Sequence, residues 1–440
     1  RRDVPWAVVV EMIRSRAGVV VTDNAELVRD KVRRMVLVAF SRFGRRRLGE
    51  VEQSEAWAVA DTICALPAFD LDDPSRRALH DDLSEAGRLA LVHALATFFQ
   101  RLAVSAPVLM LVRNAQYVDG ASNDFMRDLL VLVQGAPILV VATSSELDRD
   151  EPLRPGLTRR SGTAEHPLDV YEHLHLEPLR PLAADQLIRR LLAAPVNHKL
   201  LEWIRDHAAG NPFLASEIIA VLSERNAMRF EASEWRIERS RLPPLERGDI
   251  EAVVRLLLLT LPSQVREMLS MAVVIGRVFW DGAARVLGVD DPDASLAVLI
   301  ERGFVTRNAS SRYRDETEYR LTSSLRWRVA YDLQPPAARR AAHRKIAAWM
   351  MGKGRTDLEE SLAMAWHLEM GGQPADAATL LLRAARAARS VGALEEAARM
   401  YTRAHVLCDD PAVQDQAEIA LRTLQVRISE RRRRRRETLY

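Results

Sequence analysis

A chain of 440 residues with 48% hydrophobic and 28% charged side chains is long enough for several water-soluble domains. No uncharged apolar run reaches the ~18 residues that a membrane-spanning helix needs, and the opening RRDVPWAVVV has no signal-peptide pattern. The formal net charge of +3 falls to −3 once the six arginines 431–436 are set aside, so the body of the chain is not a basic nucleic-acid surface.

Two cysteines, Cys64 and Cys408, lie far apart and belong to no cluster with metal-ligand spacing. They read as small buried side chains in a reducing, cytoplasmic compartment. Only Lys31, Lys199, Lys345 and Lys353 are lysine among 63 basic residues, so arginine clusters carry little information here. The first residues lack an initiator methionine, and the chain reads as a fragment whose start lies upstream.

Residues 1–100 predict helices and loops. AELVRDKVRRMVLVAFSRF and EAGRLALVHALATFFQRLA place apolar residues at helical spacing. Two short apolar runs follow, PVLMLV from Pro107 and PILVVAT from Pro137, which suit parallel strands buried on both faces. ASNDFMRDLLVLVQ between them predicts a helix with Ser122 as its cap, giving a right-handed crossover. VYEHLHLEPL, residues 170–179, alternates like an edge strand.

Helices return from Leu179 to about Glu224, broken at Gly210-Asn211-Pro212, with proline at an allowed first-turn position. PSQVREMLSMAVVIG, WDGAARVLG and PDASLAVLIERG are three helical stretches, and FVTRN and EYRLT a hairpin. That order spells a winged helix-turn-helix. From Pro336 onward two helix–turn–helix units stand out, with Ala384, Ala388, Gly392, Ala397, Tyr401 and Ala404 at positions like those of a tetratricopeptide repeat. The predicted class is mainly α, with an α/β parallel-sheet remnant, a winged helix and an α-helical repeat. The predicted boundaries are 1–178, 179–245, 246–335 and 336–440.

Taken in this order the motifs resemble the STAND signal-transduction ATPases, relatives of the AAA class. VLMLVRNAQYVDGAS resembles their Walker B strand, ILVVATSS the strand after it, AGNPFLASEI their GGNPLFLEEL segment and RRAAHRKIA (339–347) their RRALHRRIA. LTSSLRWRVAY departs from the family's FRHALLREAAY at Ser323, Trp327 and Arg328. No GxxxxGK[ST] phosphate loop occurs, and the resemblance places one before residue 1.

The resemblance also places Arg113 and Asn114 where the family carries its magnesium-ligating and water-orienting acids, with Asp119 retained. At ~4 Å and an effective dielectric of ~20, a unit charge pair is worth roughly 4 kcal/mol. A guanidinium therefore cannot stand in for the acid, and Asn114 can orient a water but not take its proton. Asp119 reads equally as an outer residue of such a site or as an acid at a helix N-terminus. Thr143, Gly210, Asn211 and Pro212 are the nucleotide-binding candidates implied by the resemblance. No metal-ligating set and no catalytic residue is expected, and His343 and His367 read as packing residues.

The expected function is a regulatory or scaffolding module of a cytoplasmic signalling protein, with protein partners taken by the C-terminal helical repeats. ATP and Mg²⁺ are implied for a full-length parent and not for this fragment, from which ATP hydrolysis is not expected. The rival readings are an ATP-dependent switch working through an upstream phosphate loop and a transcription regulator with kinase, cyclase or LuxR-type domains elsewhere in the parent. Direct nucleic-acid binding by this stretch is not expected, because PDASLAVLIERG carries only Arg302 as a basic group. No membrane association is expected.

Overall fold

A computed structural model describes residues 4, 6–20, 23–65, 85–145, 172, 174–289, 291–355, 357–390 and 392–438. The chain divides into two compact units, one of residues 1–172 with 350–440 and the other of residues 173–349. It is mainly helical, with small sheets that include one parallel pair. No described helix is long and apolar enough to cross a membrane.

The first unit begins with α1 (Ala7–Ala17), α2 (Ala25–Phe40), α3 (Glu50–Cys64) and α4 (Glu85–Ala103). Helix α2 starts where Asn24 accepts the Leu27 N–H at 2.9 Å, and it buries Val28, Val32, Met35, Val36 and Ala39 along one stripe. Strand β1 (Val108–Val112) is followed by α5 (Gly120–Leu132) and by β2 (Ile138–Ala142), which pairs parallel to β1 with Val108 opposite Ile138. This is the strand–helix–strand unit the apolar runs predict. Met110, Val112, Phe125, Met126 and Leu129 join the helical core beneath the sheet.

The sheet differs from expectation in its other face. Leu109, Leu111, Leu139 and Val141 are 58, 67, 62 and 40% exposed. Among the described residues the strands are covered on one face, where the core residues of α4 and α5 meet the alternate side chains. The edge strand read at 170–179 falls partly outside the described residues. Its described part from Leu174 to Leu179 belongs to no strand, and the Leu179 N–H is taken by the Gly210 carbonyl at 2.8 Å.

The same unit contains α15 (Leu358–Met370), α16 (Pro374–Ser390), α17 (Leu394–Leu407) and α18 (Pro411–Thr438), each packed on the next. Ala384, Ala388, Ala397 and Ala404 are buried at their contacts, where small side chains let the helices approach. Tyr401 is fully enclosed among them, and Gly392 takes the left-handed turn (φ 70°) between α16 and α17.

The second unit opens with α6 (Pro181–Leu192), α7 (His198–Ala208) and α8 (Pro212–Glu224). A hairpin of β3 (Met228–Glu231) and β4 (Glu234–Ile237) follows, then α9 (Ile250–Leu259); neither was assigned from the sequence. Next come α10 (Ser263–Ile275), β5 (Val278–Trp280), α11 (Asp281–Val286), α12 (Pro292–Glu301), β6 (Val305–Arg307) and β7 (Glu318–Leu321). The three strands form one antiparallel sheet with β7 central. Strand β5 was missed because three residues carry no readable alternation. Helices α13 (Ser324–Asp332) and α14 (Pro336–Gly352) close the unit.

The residues at the start of α13 have structural uses. Ser323 caps α13 by accepting the Arg326 N–H, and the Trp327 indole donates to the Val273 carbonyl at 2.9 Å. Arg326 reaches α8. Its Nε and Nη2 donate to the Glu217 carboxylate at 3.0 and 2.6 Å, its Nη1 donates to the Gly303 carbonyl, and its plane covers Phe304. Glu217 and Arg326 expose only 3 and 15% of their side chains. Breaking one partner of such a pair strands the other in low dielectric. Glu217→Ala should lower the stability of this unit by about 3–5 kcal/mol, read from the urea midpoint, with Arg326→Ala costing a comparable amount.

His343 on α14 is buried, and its Nε2 meets the Tyr331 hydroxyl at 2.8 Å. Burial, reinforced by the Arg339 cation, pushes its pKa down to about 4 from an ordinary value near 6.5. A depressed histidine contributes stability above the unfolded value and loses it as pH falls towards the folded one. This unit should lose up to about 1.4 kcal/mol per pH unit between about 6.5 and 4 from this residue. The slope should be absent in a folded His343→Gln variant followed by pH-dependent denaturation.

Candidate functional site

The candidate region is the end of the parallel pair and the helix start that follows it. Leaving β1, the chain passes Arg113 and reaches Asn114, which adopts the left-handed conformation at φ 57°. That turn aims three groups at the end of β2. The Thr143 N–H donates to the Val112 carbonyl at 2.9 Å, the Ala115 N–H donates to the Thr143 carbonyl at 2.7 Å, and the Asn114 N–H donates to Thr143 Oγ1 at 3.2 Å. Further out, Gln116 Nε2 donates to Ser145 Oγ at 2.7 Å. Arg113 is exposed, and so is Tyr117. The strand ends thus present a cation and several amide and hydroxyl groups.

Asp119, the acid nearest that loop in sequence, faces elsewhere. It is 1% exposed and caps α5, with Oδ1 accepting the Ser122 N–H at 2.8 Å. The same Oδ1 accepts the Trp6 N–H at 2.9 Å, and Oδ2 accepts the Ala7 N–H at 3.2 Å. Ser122, read from the sequence as the cap, instead sits inside the helix and accepts the Val8 N–H with its hydroxyl. Two helix N-termini, those of α1 and α5, therefore converge on one carboxylate. The Trp6 ring packs edge-on against Phe125 at 5.7 Å beside it. Burial pushes the Asp119 pKa up, and the hydrogen bonds from Ser122 and Trp6 hold it down in part. A carboxyl group with three N–H donors satisfies the starts of two helices at once.

A second buried carboxylate meets the same helix start. Glu396 of α17 is fully buried, and its Oε1 accepts the Gly120 N–H at 2.6 Å and the Ala121 N–H at 3.3 Å. Its Oε1 lies 2.8 Å from where a Cβ on Gly120 would stand, so a larger residue there would make the Glu396 side chain shift. The sequence held no local signal for this contact, since the partners are 276 residues apart.

The other candidates lie in the second unit and form a helix junction. Gly210 has φ +77°, and a Cβ there would stand 2.8 Å from both the Leu179 carbonyl oxygen and Pro178 Cβ. Asn211 spends its side-chain oxygen on the Phe213 and Leu214 N–H groups, which caps α8, and Pro212 opens that helix. Thr143 and the Gly210–Pro212 junction belong to different units, and each has a structural duty within its own. Among the described residues no group of three or more His, Cys, Asp or Glu side chains is arranged to hold a metal ion.

Comparison with known proteins adds the following. Residues 182–236 match a family described as a domain of unknown function, DUF8739. An uncharacterized protein of Rhizobium meliloti strain 1021, R02095, is 25% identical over 347 residues, which cover 76% of this chain and 31% of that protein. The chain thus spans about a third of the length of this curated relative. A solved structure of a Signal Transduction ATPase with Numerous Domains (STAND) protein with a tetratricopeptide repeat sensor, PH0952 from Pyrococcus horikoshii, aligns with a TM-score of 0.46 at 11% identity, over 85% of this chain and 48% of that one.

The Asp119 geometry predicts a large effect from a small change. Asp119→Ala removes the caps of two helices and leaves buried N–H donors without acceptors. It should destabilise the first unit by roughly 3 kcal/mol or more in urea denaturation.

Proposed function

We propose that this chain is a regulatory module of a larger cytoplasmic signalling protein, built on an NTPase-type core that no longer carries out metal-assisted hydrolysis. The reading rests on one observation above the others. Where the resemblance calls for two acids, the end of β1 has an exposed Arg113 and an Asn114 whose backbone is bonded to Thr143, while Asp119 is enclosed by the starts of two helices. Metal-assisted phosphoryl chemistry needs an acid facing the ion. A guanidinium at that place repels the ion, and an amide cannot receive the proton of the attacking water.

The helical repeat of α15–α18 supplies the other half of the role. Stacked helix pairs offer extended surfaces for protein partners, and this segment would receive one. Any nucleotide taken by the parent protein would use a phosphate loop lying elsewhere in it, with the core described above responding to occupancy rather than turning it over.

The test is ATP binding by calorimetry and phosphate release with Mg²⁺, on this chain and on a longer form that includes any upstream phosphate loop. No turnover is expected from either. Turnover by the longer form that is abolished by replacing the phosphate-loop lysine would overturn the proposal in favour of a working ATP-dependent switch.

A further inference from the structure

The first turn of α5 is unusual in taking two buried carboxylates. The N–H groups of Gly120 and Ala121 are taken by Glu396, and that of Ser122 by Asp119. Three successive donors on one helical turn bring the two acids close to one another. Their situations differ. Asp119 shares three N–H donors between its two oxygens. Glu396 has both donors on Oε1, and its Oε2 is buried with no hydrogen-bond partner among the described residues.

An unpartnered buried oxygen is tolerable on a neutral carboxyl and far more costly on a carboxylate. Among the charges acting on Glu396, Asp119 at the start of α5 and Glu395 on α17 repel an anion and Arg399 attracts one, while the N–H groups that Glu396 meets also favour the ionised form. Arg399 lies 3.5 Å from Oε1 with 43% of its side chain exposed, so solvent screens much of its attraction. Arg403, a turn further along α17, is already paired with Glu369 of α15. Burial raises the Glu396 pKa, with Asp119 adding to the effect and Arg399 reducing it.

We propose that the packing of α17 of the helical repeat on the start of α5 is linked to one proton held by Glu396, so that the contact tightens in mild acid and loosens as the pH rises. The sign follows from linkage. An acid whose pKa is higher in the docked state than when exposed favours docking below the docked value, and the advantage is lost as pH climbs from the ordinary glutamate value to the raised one. One linked proton changes the docking constant about tenfold per pH unit across that window. The inference depends only on the fold of the first unit and stands whether or not the core takes a nucleotide.

Hydrogen exchange of the full chain tests it, following the amides of Gly120, Ala121 and α17 from about pH 5 to about pH 8 with the intrinsic rates divided out. The wild-type chain should lose protection there by about tenfold per pH unit over part of that range. Glu396→Gln, which keeps an oxygen for the two N–H groups and cannot titrate, should show a flat profile and greater protection than wild type at the alkaline end. Wild-type protection that is constant or rises with pH would overturn the proposal. So would a pH dependence that survives in Glu396→Gln, or a loss of protection in that variant as large as in Glu396→Ala at every pH. The wild-type profile alone decides the sign should the variants fail to fold.

Discussion

The first unit hangs on the Asp119 carboxylate. Each helix start carries donors that its own turns cannot satisfy, together with roughly half a positive charge from the aligned peptides. Helices α1 and α5 lie 113 residues apart in sequence and turn these starts towards the same point. One buried carboxyl group there answers both, and Trp6 and Phe125 pack edge to face beside it. The helix so fixed is the crossover between β1 and β2.

This constraint also decides what remains at the strand ends. In the stretch from Arg113 to Asp119 the single acid is drawn into the core, and the groups left outside are a guanidinium, amides and hydroxyls. Of these, the Asn114 N–H and the Gln116 amide bond to Thr143 and Ser145 across the two strands. The left-handed turn at Asn114, costly for any residue but glycine and mildest for asparagine and aspartate, is held by the Thr143 backbone and hydroxyl. The loop is thereby a clasp between neighbouring strand ends, and its polar atoms serve the fold before they serve any ligand. Glu396 extends the same logic from the far end of the chain by filling the donors of α5 that Asp119 does not reach.

Local chemistry was legible in the sequence, and distant partnership was not. The apolar stripes of α2 and α4 and the five-residue runs of β1 and β2 lie where spacing places them, because burial of one stripe or one face is a local pattern. Helices α10 to α12 and the β6–β7 hairpin were legible for the same reason. Strand β5 and the β3–β4 hairpin were not, being too short to show a period. Ser122 looked like the cap of α5 because it precedes the apolar spacing, yet Asp119 has that place and Ser122 faces α1. The spacing of one helix cannot say that a second helix start shares its cap. Glu396 was invisible altogether, since a glutamate beside Glu395 on a helix resembles any solvated acid. The strands were read as covered on both faces because an apolar run cannot say which of its alternate side chains finds a neighbour.

The residues around the start of α13 show how far single side chains are committed to the fold. Ser323 caps α13, and Trp327 bonds the Val273 carbonyl. Arg326 binds the buried Glu217 and closes over Phe304. A cap, an indole hydrogen bond and a two-pronged ion pair within five residues thus join α13 to α8 and α10. Positions committed in this way resist change for reasons of stability.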